Sequence, residues 1–160
     1  MEKSPLRGLD CENALNVLGL GQIKLEGRTD LSKNETPMTR WYWRQEGGTL
    51  IEEFEVVKRT PENSRRVLDG VIIKNGEFRI AKQSEVSVEG KDIIVIQTKA
   101  SRLGMYLMGQ ALFSRQLIMD FMPKSIKAVA LCARDDAVLR PLLEQYEGME
   151  VVVCPPELLD

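Results

Sequence analysis

Four consecutive β-branched apolar residues, Ile93-Ile94-Val95-Ile96, constrain this chain more than any other feature. A strand with one wet face alternates apolar and polar residues, whereas an unbroken apolar run needs cover on both sides. The run therefore predicts a central strand over 92–98, in a sheet with helices packed on both faces. A chain of 160 residues has the length of one such domain.

The flanking pattern extends this reading. Residues 50–57 and 66–73 are predicted strands, separated by a turn at Thr60-Pro61-Glu62-Asn63-Ser64. Asn75-Gly76 is a hairpin signal. Short strands are expected at 78–80 and 86–88. Apolar residues recur at helical spacing over 101–122 (Leu103, Leu107, Ala111, Leu117, Ile118, Phe121). Met105, Met108, Met119 and Met122 add apolar character to its other side, which predicts cover on more than one side with the methionines as core filler. A strand over 126–131, a helix over 134–146 opened by Asp135 and Asp136, and a strand over 149–154 complete the order. The expected fold is α/β: an antiparallel meander, then β-α-β-α-β, in one mixed sheet flanked by helices.

The whole chain, 1–160, is expected to be a single domain with its core over 41–154. Residues 1–40 are expected to be an irregular N-terminal segment. Asp10 could cap a short helix ended by Gly19-Leu20-Gly21, and the polar stretch 26–39, with Pro37, reads as a loop. Trp41-Tyr42-Trp43 is read as an aromatic cluster over one end of the core in preference to a base-stacking platform.

Composition narrows the chemistry. The chain has no histidine, which removes Ser-His-Asp and Cys-His catalysis and His-ligated zinc. Its three cysteines, Cys11, Cys132 and Cys154, are scattered and form no zinc or disulfide pattern, and Cys132 reads as a small buried side chain. No apolar run approaches the ~20 residues of a membrane helix, and Met1-Glu2-Lys3-Ser4-Pro5 does not begin a signal peptide, so a cytoplasmic protein without a membrane partner is expected. The net charge of −2 argues against an obligate tight nucleic-acid binder but leaves room for a local basic groove.

Two polar interruptions of buried strands mark the candidate site. Gln97 and Lys99 continue the face of Ile93 and Val95 at the C-terminal end of the central strand, the edge where open α/β sheets bind ligands. Asp69 sits between Leu68 and Val71-Ile72, where a carboxylate needs a partner or a metal. A purely structural reading pairs Asp69 with Lys99 in a salt bridge and leaves Gln97 a satisfied core amide.

Leu68-Asp69-Gly70, then Ile93-Ile94-Val95-Ile96-Gln97-Thr98-Lys99-Ala100, then a helix carrying Met108-Gly109-Gln110-Ala111 resembles the PD-(D/E)xK nuclease superfamily over about 49–153. The helix is similar to that of RecB-like members, with Gln110 matching and Ser114 where Tyr is usual. The resemblance implies a restriction-endonuclease-like core and a Mg²⁺- or Mn²⁺-dependent phosphodiesterase acting on DNA, or on RNA, in a homodimer. It implies catalytic roles for Asp69, Gln97 and Lys99, and metal ligation by Asp69, Gln97 and Glu53, or Glu52 in its place. Gln110, Arg66 and Arg102 would contact substrate, with Arg65, Arg79, Lys82, Arg115 and Lys124 available to line a groove. Gln97 departs from the acid usual at its position, so Glu77, Glu85 or Asp92 could supply a displaced carboxylate. The same departure leaves open a degenerate member that binds nucleic acid or protein without cutting.

Overall fold

The computed structural model describes residues 27–159. The expected helix near Asp10 and the environment of Cys11 lie outside them. Six strands form one mixed sheet: β1 (Thr49–Val57), β2 (Arg66–Ile73), β3 (Arg79–Ala81), β4 (Asp92–Arg102), β5 (Ser125–Arg134) and β6 (Met149–Val153). Their order is β3-β1-β2-β4-β5-β6. β1–β2 and β2–β4 pair antiparallel, while β4–β5 and β5–β6 pair parallel. Helix α1 (Gly27–Glu46) covers one face, and α2 (Met105–Leu117) covers the other. A short α3 (Leu139–Glu144) joins β5 to β6. The α/β sheet with flanking helices is the expected one.

The β-branched run is the axis of both cores. Ile93 and Val95 pack beneath α2 with Phe54, Leu107, Ala111 and Ile118. Ile94 and Ile96 pack beneath α1 with Met38, Tyr42, Trp43 and Leu50. All four residues of the run are at most 1% exposed. Full burial of such side chains is worth about 1.5–3 kcal/mol each, so β4 anchors both layers.

Helix α1 corrects the expectation of an irregular segment: 27–40 is helical, and the helix continues through the aromatic triplet to Glu46. The polar composition and Pro37 argued for a loop. A stripe at i, i+1, i+4 and i+5, formed by Met38, Thr39, Tyr42 and Trp43, buries enough apolar surface to override that. The aromatics are core residues as anticipated: Tyr42 and Trp43 are buried, and Trp43 stacks on Phe78 with centroids 4.4 Å apart. Gly48 closes the α1–β1 connection at φ +78°, where a Cβ would lie 2.3 Å from the Ile73 carbonyl oxygen.

Other differences have local causes. Asn75-Gly76 turns the chain (Asn75 φ 61°), but β3 does not fold back on β2; it crosses to pair in parallel with the far edge of β1. Residues 86–88 form no strand and follow a 3-10 turn, Gln83–Glu85. The α2 region ends as a 3-10 turn, Ile118–Phe121, and its outer side is bare: Met105, Met119 and Met122 are 75%, 53% and 68% exposed. They are therefore not core filler, because a single sheet beneath α2 covers one face only. The helix expected over 134–146 is shorter because β5 runs on to Arg134 and the Asp136 carboxylate, accepting the N–H groups of Val138 and Leu139, caps the chain into α3 only from there. Among the described residues, no helix is long and apolar enough to cross a membrane.

Candidate functional site

The sheet is distorted at one place, and the candidate acid sits there. Glu52 pairs with Gly70 and Phe54 with Leu68, so Glu53 and Asp69 stand opposite one another between them. Regular alternation would send Ile51 and Phe54 to opposite faces, and likewise Leu68 and Val71. Instead all four belong to the α2-side core. Both strands therefore skip a step at the 53/69 pair, and Glu53 carries the cost as a left-handed residue with φ 50°.

The β2–β4 ladder ends at Gly70–Ile96. Beyond it, Asp69 replaces a backbone acceptor: its Oδ2 takes the Thr98 N–H at 2.7 Å. Gly70 permits the next layer, because a Cβ there would lie 3.0 Å from the Thr39 methyl and 3.3 Å from Leu50. Helix α1 thus comes down close on β2, and the Thr39 and Thr98 hydroxyls are 2.9 Å apart.

The result is a cleft of about 360 Å³ lined by Glu35, Thr36, Thr39 and Arg40 from α1, Glu52 and Glu53 from β1, and Asp69 from β2. Arg40 neutralises Glu52 through a two-pronged contact at 2.7 and 3.1 Å. Burial holds the Asp69 carboxyl above its usual range; the Thr98 N–H and the Lys99 charge pull it down, and Glu53 pushes it up. Glu35 is raised by burial and then by Asp69, against lowering by Lys99 and a hydrogen bond from the Ala100 backbone. Lys99 is thus the cation that both acids feel.

Asp69 and Glu53 are brought together as anticipated, and Glu52 lines the same cleft. Gln97 is not part of it. Alternation along β4 turns Gln97 to the α2 face, where it is 5% exposed and its Nε2 donates to Ser114 Oγ at 2.6 Å. It is a satisfied core amide. The other half of the structural reading does not hold: Asp69 bonds Thr98 N–H, and the ion pairs of the described residues do not include Asp69–Lys99.

Gln110 and Arg66 line a second, larger groove against α2, together with Arg65. Arg102 is spent elsewhere, donating to the Asp135 carbonyl at 2.7 Å. Arg79 pairs with Glu77 and Glu85, and Arg115 donates to the Glu147 carbonyl. Asp92 is engaged by the Ser125 hydroxyl. None of Glu77, Glu85 and Asp92 lines the acid cleft.

Sequence reasoning missed the cleft residues of α1, Thr36, Thr39 and Arg40 and, among the acids, Glu35. Its signal was helical: it lies one turn before Thr39, which accompanies Met38 on the buried stripe. The polarity of 26–39 hid that turn. Among the described residues, no three His, Cys, Asp or Glu side chains stand close enough together to hold a metal ion. The donors themselves are hard carboxylate oxygens; Asp69 and Glu35 are raised by burial and by a neighbouring acid, Glu53 and Asp69 respectively, and a divalent cation would relieve both effects.

No protein-family model matches the chain, and no curated protein matches it. Its fold is similar to the crystal structure of a repair endonuclease from Pyrococcus abyssi, with a TM-score of 0.50 at 14% identity. The match covers 75% of this chain and 46% of that one, so this chain spans about half of that protein's length. The likeness establishes a nuclease-like fold.

Proposed function

We propose that this chain is a divalent-metal-dependent nuclease of the PD-(D/E)xK type that hydrolyses the DNA backbone. One observation carries the reading. At the end of the β2–β4 ladder, Asp69 is fixed on the Thr98 N–H, beside Glu53 and Glu35 and under the field of Lys99. Thr98, which holds Asp69, lies toward the C-terminal end of β4, the edge where open α/β sheets bind ligands.

As they stand, Asp69, Glu53 and Glu35 are too far apart to enclose an ion; in this reading they would draw together on a Mg²⁺ or Mn²⁺ ion, which would supply water activation and charge neutralisation at the phosphate. The Thr98 N–H orients Asp69. Arg40 withdraws Glu52 from the set by pairing with it. Lys99 orients the attacking water and offsets negative charge developing on the phosphate. Gln97 turns away toward Ser114, and in this reading Glu35 replaces it as the third oxygen donor.

A cleavage assay on plasmid and single-stranded DNA with Mn²⁺ tests the proposal. Wild type should cut, and Asp69→Ala and Lys99→Ala should each lose the activity while remaining folded. Cutting that survives Asp69→Ala would refute it. The neutral Gln97 favours one second reading, a nuclease fold that binds without cutting. That reading requires DNA binding with no metal-dependent product.

A further inference from the structure

The groove on the α2 face lies outside the acid cleft and has a volume of about 860 Å³. One stripe of α2 forms its wall. Tyr106, Gly109, Gln110, Phe113 and Leu117 recur at i, i+3, i+4, i+7 and i+11, and all line the groove. The buried stripe of the same helix is different: Leu107, Ala111 and Ser114 face the sheet. Tyr106 is 74% exposed and Phe113 65% exposed. Between them Gly109 keeps the wall open, since a Cβ there would meet nothing within 4 Å.

The opposite wall is the start of β2, with Arg65, Arg66, Val67 and Leu68. Arg65 is paired with Glu55, whereas Arg66 is exposed and makes no ion pair among the described residues. Gln97 reaches the groove, and Asp120 stands at the α2 end with the opposite charge. Two exposed aromatic rings, a cation opposite them and amide groups between form a mixed surface. Single strands are bound by stacking rings beside basic side chains. Seven residues of helix separate Tyr106 from Phe113 by about 10.5 Å, roughly three steps of a stacked strand at ~3.4 Å each.

The groove and the cleft share no lining residue and open toward opposite helices: Leu68 and Gln97 line the groove beneath α2, whereas Asp69, held by Thr98, lines the cleft against α1. From this geometry we infer that the α2 groove is a single-strand nucleic-acid track, with bases on Tyr106 and Phe113 and the backbone beside Arg66. Binding in the track stands on the groove alone. Delivery of the strand to Asp69 rests on the nuclease reading.

Fluorescence polarisation of labelled oligo(dT) with the full chain in EDTA tests the inference, with oligo(rU) and duplex DNA of equal length as further arms. Wild type should bind single strands better than duplex, and the dT and rU arms read the sugar preference. Tyr106→Ala and Phe113→Ala should each weaken binding about tenfold. Gly109→Leu fills the track from an open position and should abolish binding while the thermal transition is kept. Arg66→Ala should flatten the log–log salt dependence by about 0.7.

Asp69→Ala should leave this binding unchanged, and a wild type that binds single strands in the track but cuts none with Mn²⁺ overturns the nuclease reading alone. Single-strand binding indifferent to Tyr106→Ala, Phe113→Ala and Gly109→Leu overturns the track, whatever the cleavage result. So does a wild type that ignores nucleic acid but self-associates, with Gly109→Leu restoring the monomer.

Discussion

Asp69 separates two physical roles that one carboxylate can play, and two substitutions tell them apart. Its Oδ2 accepts the N–H of Thr98, a residue only 3% exposed. Asp69→Ala strips that acceptor, and an unsatisfied buried N–H costs about 1–3 kcal/mol. Asp69→Asn keeps an acceptor of the same shape and removes the charge. Burial raises the Asp69 carboxyl, so the folded state prefers its protonated form. The sign follows: that preference stabilises fully below the unfolded pKa and is lost as pH rises through the folded one. The ionised side chain is thus a burden near neutrality, and Asp69→Asn should be at least as stable as wild type there. The advantage should shrink as the pH falls toward 4. Asp69→Ala should melt about 2–12 °C lower at neutral pH, on ~2–4 °C per kcal/mol for a domain of this size. Thermal melts of the three proteins in EDTA between pH 4 and 8 make the comparison. If Asp69→Asn falls as far as Asp69→Ala at neutral pH, the negative charge itself stabilises the fold through Lys99, and the burial argument is wrong.

Further outcomes follow from the same contacts. Ser114→Ala leaves the buried Gln97 amide without its partner, and urea unfolding should show a loss of about 1–2 kcal/mol. Gly70→Val drives a branched side chain against Thr39 and Leu50, and should destabilise by at least ~1–3 kcal/mol while weakening any metal affinity, because α1 carries Glu35. Cys132 and Cys154 are buried, and burial pushes the Cys132 thiol up to about 11. Native protein at pH 8 should therefore protect both from alkylation, with reaction appearing only on unfolding.

Legibility in the sequence followed the strength of the local signal. The run Ile93-Ile94-Val95-Ile96 identified β4 and the two-faced sheet, because only double-sided burial suits such a run. Strand β2 matched residue for residue. Asp69 stood out because a carboxylate between buried apolar residues needs a reason. Helix α1 was hidden because its apolar stripe is short and its polar turns carry Pro37. With it went Glu35, a cleft residue visible only once the helix is known. The face of Gln97 was read correctly beside Ile93 and Val95. What alternation could not show is that Asp69 leaves that face, since a left-handed Glu53 on the neighbouring strand is a tertiary feature without a local sequence cue. The destination of β3 depended likewise on pairing with β1 and not on its own turn.

The central claim is that Asp69, Glu53 and Glu35, which stand apart in the cleft, draw together on a divalent cation, and calorimetric titration of Mn²⁺ and Mg²⁺ tests it most directly. Wild type should bind with an affinity that rises with pH as Asp69 and Glu35 ionise. Asp69→Ala and Glu35→Gln should each lose that binding, and Gln97→Ala should retain it. Equal metal binding by wild type and Asp69→Ala, or none by wild type at millimolar ion and neutral pH, would contradict the account.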